Sequence, residues 1–419
     1  MIHNGFVFAV LFVFAGSGFC GDWAQWHGAL RDNISVETGL LDEWPKGGPE
    51  MLWSVEGIGK GYSSVSVSEG FVYVTGMAGR DKGMLSKISV EGKLIWRKGY
   101  GKEWYRSYAG SRSTPTITGG FAYIMTGQGE VVCMDIETGE KVWSVNTFDK
   151  YGGRLPYWGL AESVVVDGSK VYCQAGGKNA SVAALRKTDG SVVWVTKELS
   201  EKASFCSPII VDHHGKKQLI TVLAESVVGI DISNGKVLWK MAKKVFSNPD
   251  GDRRGLDNST NTPIYKDGFV FVSSGYDQGA AKIRISEDSR EASLVWKNYE
   301  LDNHHGGIVL VEGKLYGAGW DGNTKGDWLC VDWETGKTLY KHSWDKNKGS
   351  LTYAEGMLYC YAEKTGKMAL VKADPSKFDI VSTFEITKGE DEHWAHPVIS
   401  NGRLYIRHGD VLMVYDISK

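Results

Sequence analysis

The chain has 419 residues, with 48 Lys and Arg against 50 Asp and Glu, and a formal net charge of −2. That balance, without a basic cluster or a charged tail, excludes an electrostatic nucleic-acid binder. With 53 glycines, 9 prolines, 16 tryptophans and 19 tyrosines, the composition suits short aromatic strands joined by tight turns.

In chain order, residues 5–14 form an unbroken apolar run, followed by Ala15, Gly16, Ser17 and Gly18. This is the h-region and small-residue zone of a secretory leader, too short for a good membrane span. No Lys or Arg precedes it, which is atypical. The division expected is a signal peptide over 1–20, a lead-in segment over 21–49 and one folded unit over 50–419. Cys20 follows Phe19 rather than a small residue, so a released periplasmic or secreted protein is expected instead of a lipid-anchored one. Cys133, Cys173, Cys206, Cys330 and Cys360 remain, scattered and odd in number. No CxxC or adjacent Cys pair occurs, which argues against a disulfide framework, a zinc site and an attached haem.

From residue 50 a unit recurs: two apolar strands, a third strand, then Gly-x-x-x-aromatic. The clearest copies are Asp135-Ile-Glu-Thr-Gly139-Glu-Lys-Val-Trp143, Asp231-Ile-Ser-Asn-Gly235-Lys-Val-Leu-Trp239 and Asp332-Trp-Glu-Thr-Gly336-Lys-Thr-Leu-Tyr340. The closing aromatics fall at 53, 96, 143, 194, 239, 296, 340 and 384, a period that fits four-stranded propeller blades. Within each unit the strands alternate with period two, as in Phe71-Val-Tyr-Val-Thr75 and Phe269-Val-Phe-Val-Ser273. In the turn, Gly supplies the positive φ and Asp can bond the turn amides. The aromatic four residues later can pack on the neighbouring blade, and Trp143 and Trp239 are expected to be buried there.

After Phe384 only three strands remain, at 395–399, 403–407 and 411–415, while Glu50-Met-Leu-Trp53-Ser-Val is an outer strand without partners. The N-terminal strand is therefore expected to complete the last blade and remove the open edges. The fold expected is all-β, an eight-bladed β-propeller of four-stranded antiparallel blades, monomeric and not integral to a membrane.

The Asp-x-x-Thr-Gly-Lys-x-x-Trp units resemble the tryptophan-docking repeats of pyrroloquinoline-quinone (PQQ)-dependent alcohol dehydrogenases. They equally resemble those of the outer-membrane assembly propeller lipoprotein of the β-barrel insertion machinery. The resemblance covers residues 50–419 and implies a PQQ-like propeller, without fixing an activity. Asn303-His-His-Gly-Gly307, Lys348-Gly-Ser-Leu351 and His393-Trp-Ala-His-Pro397 are similar to segments of secreted PQQ-binding-like propeller repeat proteins of environmental bacteria.

In a propeller the first strand of each blade lines the central channel. The small residues that open these strands are Ser64, Thr114, Ser163, Ser207, Thr262, Gly306, Gly349 and His396. The positions just before them hold Glu162, Asn261, His305 and Lys348, and those beyond hold Arg112, His304 and Trp394, with Trp158 in a neighbouring loop. A closed ring brings equivalent positions together, so these nine residues, His396 included, are the expected ligand site at a funnel mouth. The mixture of charge, imidazole and flat rings suits a small polar ligand or a partner's peptide loop. The plain alternative is that these groups satisfy one another. His305, His396 and Glu162 are weak metal candidates, because adjacent His304 and His305 point apart on a strand, and no metal site is expected.

The function expected is an exported, non-catalytic binding or scaffold propeller. The runner-up, implied by the resemblance, is a PQQ-dependent alcohol dehydrogenase. Glu162, Asn261 and Asp302 would then supply calcium oxygens and Trp158 or Trp394 a stacking face. The adjacent Cys pair common beside that cofactor is absent from the sequence.

Overall fold

A computed structural model describes residues 21–251 and 257–419; the expected leader lies outside the described residues. Eight antiparallel sheets follow in sequence, and each orders its strands consecutively outward from the channel. Blade 1 is Ser66–Ser68, Phe71–Ala78, Lys82–Ser89 and Leu94–Lys102. Blades 2 to 7 follow the same plan, spanning residues 116–146, 165–195, 209–242, 264–298, 308–342 and 349–385. Blade 8 is Val398–Ser400, Arg403–His408 and Val411–Asp416, and its outer strand is Met51–Val55 from the other end of the chain. Trp53 pairs with Val414 and Val55 with Leu412, so the ring closes as expected.

The repeat motif acts at the blade junctions. Asp135 Oδ1 accepts from the amides of Glu137 (2.9 Å) and Thr138 (2.8 Å), and Gly139 takes φ 72°. The next blade's turn glycine then lies on the docking indole. A Cβ on Gly190 would sit 2.6 Å from the Trp143 ring, and one on Gly235 2.5 Å from Trp194. Glycine is thus required there twice, for its φ and for the close approach. The indole N–H donates across the junction, from Trp143 to Lys187 O (3.0 Å) and from Trp194 to Ile232 O (2.9 Å). Trp143 and Trp239 are 9 % and 2 % exposed, buried as expected.

Each outer strand carries a register slip at the residue before its docking position: Ile95, Val142 and Val193, for example, have no partner across the ladder. Such bulges deform an edge that would otherwise template further pairing. In blade 7 the slip falls between Ile380 and Ser382, which puts Phe384 two residues beyond the position that follows the bulge in the other blades. Phe384 still docks: a Cβ on Gly48, at φ 100° before blade 8's outer strand, would sit 2.6 Å from its ring, and Trp44 of the lead-in packs beside it. Trp44 lies 5.9 Å from Tyr359, as Trp143 and Trp194 lie 6.1 and 5.8 Å from Tyr123 and Tyr172, and its amide donates to Ser382 Oγ. Phe384 packs edge-on against Trp44 at 5.0 Å.

The lead-in also fills the channel. Trp23 bridges to Val67 near the far end of blade 1's first strand, and Ala24 O accepts from Ile117. The chain then rises toward the strand starts, turns through His27, Arg31 and Asn33 in left-handed conformations, and descends. Ile34–Ser35 pairs in parallel with Gly349–Ala354, making blade 7 five-stranded.

Candidate functional site

The strand openings of successive blades meet in one ring. Thr114 N donates to Ser163 Oγ (2.9 Å), Ser163 N to Ser207 Oγ (2.9 Å) and His396 N to Ser64 Oγ (3.0 Å). The nine candidate residues then separate by depth.

The deeper group faces the lead-in plug. His396 Nε2 donates to His305 O (2.7 Å), which leaves Nδ1 to accept from His27 Nε2 (2.9 Å). Burial holds both imidazoles neutral, with His396 lowered to about 4. Trp26 stacks on His27 at 4.0 Å and donates to Thr262 Oγ1. Arg31 donates to Ser163 O (2.6 Å) and Val164 O (3.2 Å), and burial lowers it to about 10. Beside it the Glu162 carboxylate accepts from Gln174 N (2.9 Å), and burial raises it to about 8. Asn261 Nδ2 donates to Asn303 O (2.7 Å). Lys348 is also enclosed, ion-paired with Glu363 and donating to Gly322 O and Asn323 O.

The shallower group forms a chain of rings across the loop mouth. Trp394 lies 4.8 Å from Tyr108, 5.0 Å from Tyr62 and 5.0 Å from His305. His305 continues to His304 (4.3 Å), His304 to Tyr276 (4.7 Å), and Tyr276 stacks on Trp158 at 6.3 Å. Arg112 lies 6.0 Å from the Tyr62 ring centre and donates through Nη2 to Tyr108 O (2.6 Å), while its buried Nη1 has no acceptor. His305 Nε2 stands 3.5 Å from Glu363 Oε2 without making a hydrogen bond, and burial with the neighbouring His304 and Lys348 holds it neutral. The mouth is therefore a filled, ring-lined surface. Two open surface clefts lie on the opposite face, one of about 470 Å³ on blade 5 around Arg284 and Glu287 and one of about 130 Å³ between blades 4 and 5 beside His213.

Sequence reasoning missed Trp26, His27, Arg31 and Asn33, which seal the channel, and Tyr276, which links the mouth rings. The lead-in lies outside the repeat, so no equivalent position flagged it. Its one local signal is the dense Trp26-His27-Gly28 and Arg31-Asp32-Asn33 clustering.

A quinone with its calcium would need free carboxylate oxygens at the strand openings. Glu162 accepts from Gln174 N, and Asp302 accepts from Gly279 N (2.8 Å) and Asp277 N (2.5 Å). Both acids are buried and already engaged by these backbone amides, which leaves them without the free oxygens that such a site needs. Among the described residues no three His, Cys, Asp or Glu side chains gather as a metal site. The space beneath the mouth holds Trp26, His27 and Arg31. The residues present do not fit that cofactor.

Eight blades, five of them docked by an indole on the next turn's glycine (Trp53, Trp96, Trp143, Trp194 and Trp296), define the tryptophan-docked propellers, a class that includes quinoprotein dehydrogenases and assembly factors. Within it the chain belongs to the family described as outer membrane protein assembly factor BamB, whose profile matches residues 47–145 and 81–338. BamB of Yersinia pestis is 25 % identical over 248 residues, 55 % of this chain and 56 % of that protein. The quinoprotein alcohol dehydrogenase PedH of Pseudomonas putida is 29 % identical over 161 residues, 35 % of this chain and 24 % of that protein. The chain thus spans about a quarter to just over half the length of these curated relatives. Among solved structures, BamB of Moraxella catarrhalis aligns with a TM-score of 0.62 at 14 % identity, covering 88 % of this chain and 99 % of that one. Quinohemoprotein alcohol dehydrogenase of Comamonas testosteroni aligns with a TM-score of 0.68 at 13 % identity, covering 95 % and 81 %. At these identities the structures share the fold.

Proposed function

We propose that the protein is an exported, non-catalytic binding propeller, released after removal of residues 1–20, that holds a protein partner on its loop mouth. One observation carries the reading: the channel is sealed by the chain's own Trp26, His27 and Arg31, while the mouth above presents a continuous run of rings. A filled, ring-lined surface suits a partner's side chains better than a small molecule, which needs a concave pocket. The propeller supplies rigidity, and the loops between blades supply contacts. His304, His305, Trp158, Trp394 and Arg112 are the contact residues in this reading. Glu162, Asn261, His396 and Lys348 support them from below. No helix among the described residues is long and apolar enough to cross a membrane.

The dehydrogenase reading is tested directly. Purified protein is incubated with PQQ and calcium, desalted, and assayed for retained quinone absorbance and alcohol-dependent dye reduction. We expect neither. Stoichiometric retention with turnover would overturn the non-catalytic reading.

A further inference from the structure

The loop face carries both matched and unmatched cations. Around blades 4 to 8, Lys202 pairs with Asp257 (3.2 Å), Lys240 with Glu201 (2.6 Å), Lys364 with Glu392 (2.6 Å) and Lys367 with Asp345 (2.9 Å). Around blades 1 to 3, Arg80, Arg106, Arg112 and Arg154 have no ion pair among the described residues. Arg80, Arg106 and Arg154 are exposed, and Arg112 is half-buried behind them with Nη1 unbonded.

These arginines stand among aromatic side chains on abutting loops. Arg80 lies 4.8 Å from the Tyr105 ring centre, and Arg106 lies 5.5 Å from Trp104. The Trp104 ring packs under Gly159, where a Cβ would meet it at 2.6 Å, so the loop at 104–112 touches the loop at 151–159. The second loop leaves a five-residue helix, Thr147–Tyr151, through Gly152 and carries Leu155 and Tyr157, the latter 75 % exposed.

An exposed guanidinium without an acid partner is a planar fork open to carboxylate. Arg80 and Arg106 already lie over the Tyr105 and Trp104 rings, so those faces are not free for a sugar to stack on. What remains open is positive charge, tyrosine hydroxyls and Leu155. We propose that this face, centred on Arg80, Arg106 and Arg154, docks an acidic protein segment that carries apolar residues among its carboxylates. The inference rests on reading the mouth as a binding face, and it adds the chemistry of the partner.

The test compares the purified chain with an Arg80→Glu, Arg106→Glu, Arg154→Glu variant. The probe is a labelled peptide of alternating Glu and Tyr, followed by anisotropy, with a Lys-Tyr peptide as control and oligogalacturonate as competitor. The expected result is binding of the Glu-Tyr peptide that falls roughly tenfold or more in the variant. It also weakens as salt rises from about 0.05 to about 0.5 M, at an unchanged melting temperature. If the triple variant melts early, Arg154→Glu alone, on an exposed loop, replaces it. Failure of the chain to bind the Glu-Tyr peptide, equal binding of the Lys-Tyr peptide, or undiminished binding by the variant overturns the inference. So does oligogalacturonate binding in place of the peptide, which would assign the face to a polysaccharide. PQQ-dependent turnover would instead overturn the non-catalytic reading and leave the peptide result standing.

Discussion

Arg31 and Arg106 show how one residue type takes two roles. Arg31 is 3 % exposed, and its guanidinium donates to Ser163 O, Val164 O and Gln25 Oε1. Arg106 is exposed, lies over the Trp104 ring and has no carboxylate partner among the described residues. Several buried polar groups in the channel find partners from the lead-in, His27 for His396, Trp26 for Thr262 and Asn33 for Thr352, and the others pair between blades. The channel's polarity therefore holds the ring together, whereas unmatched polarity on the blade 1–3 loops is available to something outside.

The largest expected effect falls on closure. Removing residues 21–55 deletes the plug, Trp44 and the outer strand of blade 8, and leaves the Val411–Asp416 edge open. The product should aggregate or express poorly; a monomer of unchanged melting temperature on gel filtration would break the contrast at its base. Next come the docking indoles. Trp239→Ala should cost roughly 3–5 kcal/mol in denaturant unfolding. Trp44→Ala should cost about as much if the lead-in does serve blade 7; a loss below about 1 kcal/mol would return Trp44 to the surface class.

Arg31→Ala leaves Ser163 O without its donor, at about 1–3 kcal/mol, while Val164 O keeps its bond from Thr116 Oγ1. If it proves neutral, the plug is ornamental and the channel's role reopens. The pH dependence sharpens the same point. Glu162, Glu103 and Asp302 are raised by burial to about 8, 7 and 7, so the unfolded chain releases these protons at lower pH than the folded one. Stability should then decline as pH rises from about 5 to about 8, by roughly 1 kcal/mol per unit for each group while it titrates. Glu162→Gln should flatten that decline, and an identical slope would show that this carboxyl titrates normally. Smallest is Arg106→Ala, within about 0.5 kcal/mol of the parent in thermal melts; a larger loss would mean that its contact with Trp104 is structural.

The blade count and the closing strand were legible because each blade repeats one problem, docking an aromatic ring on the next blade, and solves it at nearly one spacing. Blade 7 shows the limit. Phe384 lies at the right interval, is buried and meets Gly48, yet it stands two residues past the bulge, and Trp44, from the other end of the chain, adds a second ring that no interval foretold. The mouth residues could be aligned by blade, but alignment carries no depth. Nothing local distinguishes Lys348, enclosed with Glu363, from Arg112 at the ring-lined surface. The plug was invisible for a further reason: its partners are carbonyls and imidazoles of several blades, and such contacts impose no period on the lead-in.

The plug also sets a schedule for folding. His27 meets His396 across 369 residues, and Gly21 O accepts from Ser400 Oγ across 379. Loops this long are slow to close, and their partners do not exist until the last blade has been synthesised. The first residues of the folded unit to emerge are therefore among the last to be satisfied. Trp23 and Ala24 can pair early with blades 1 and 2, but the turn at His27 must wait until the ring around it is complete, so that locking of the channel can serve as a late clock for correct assembly.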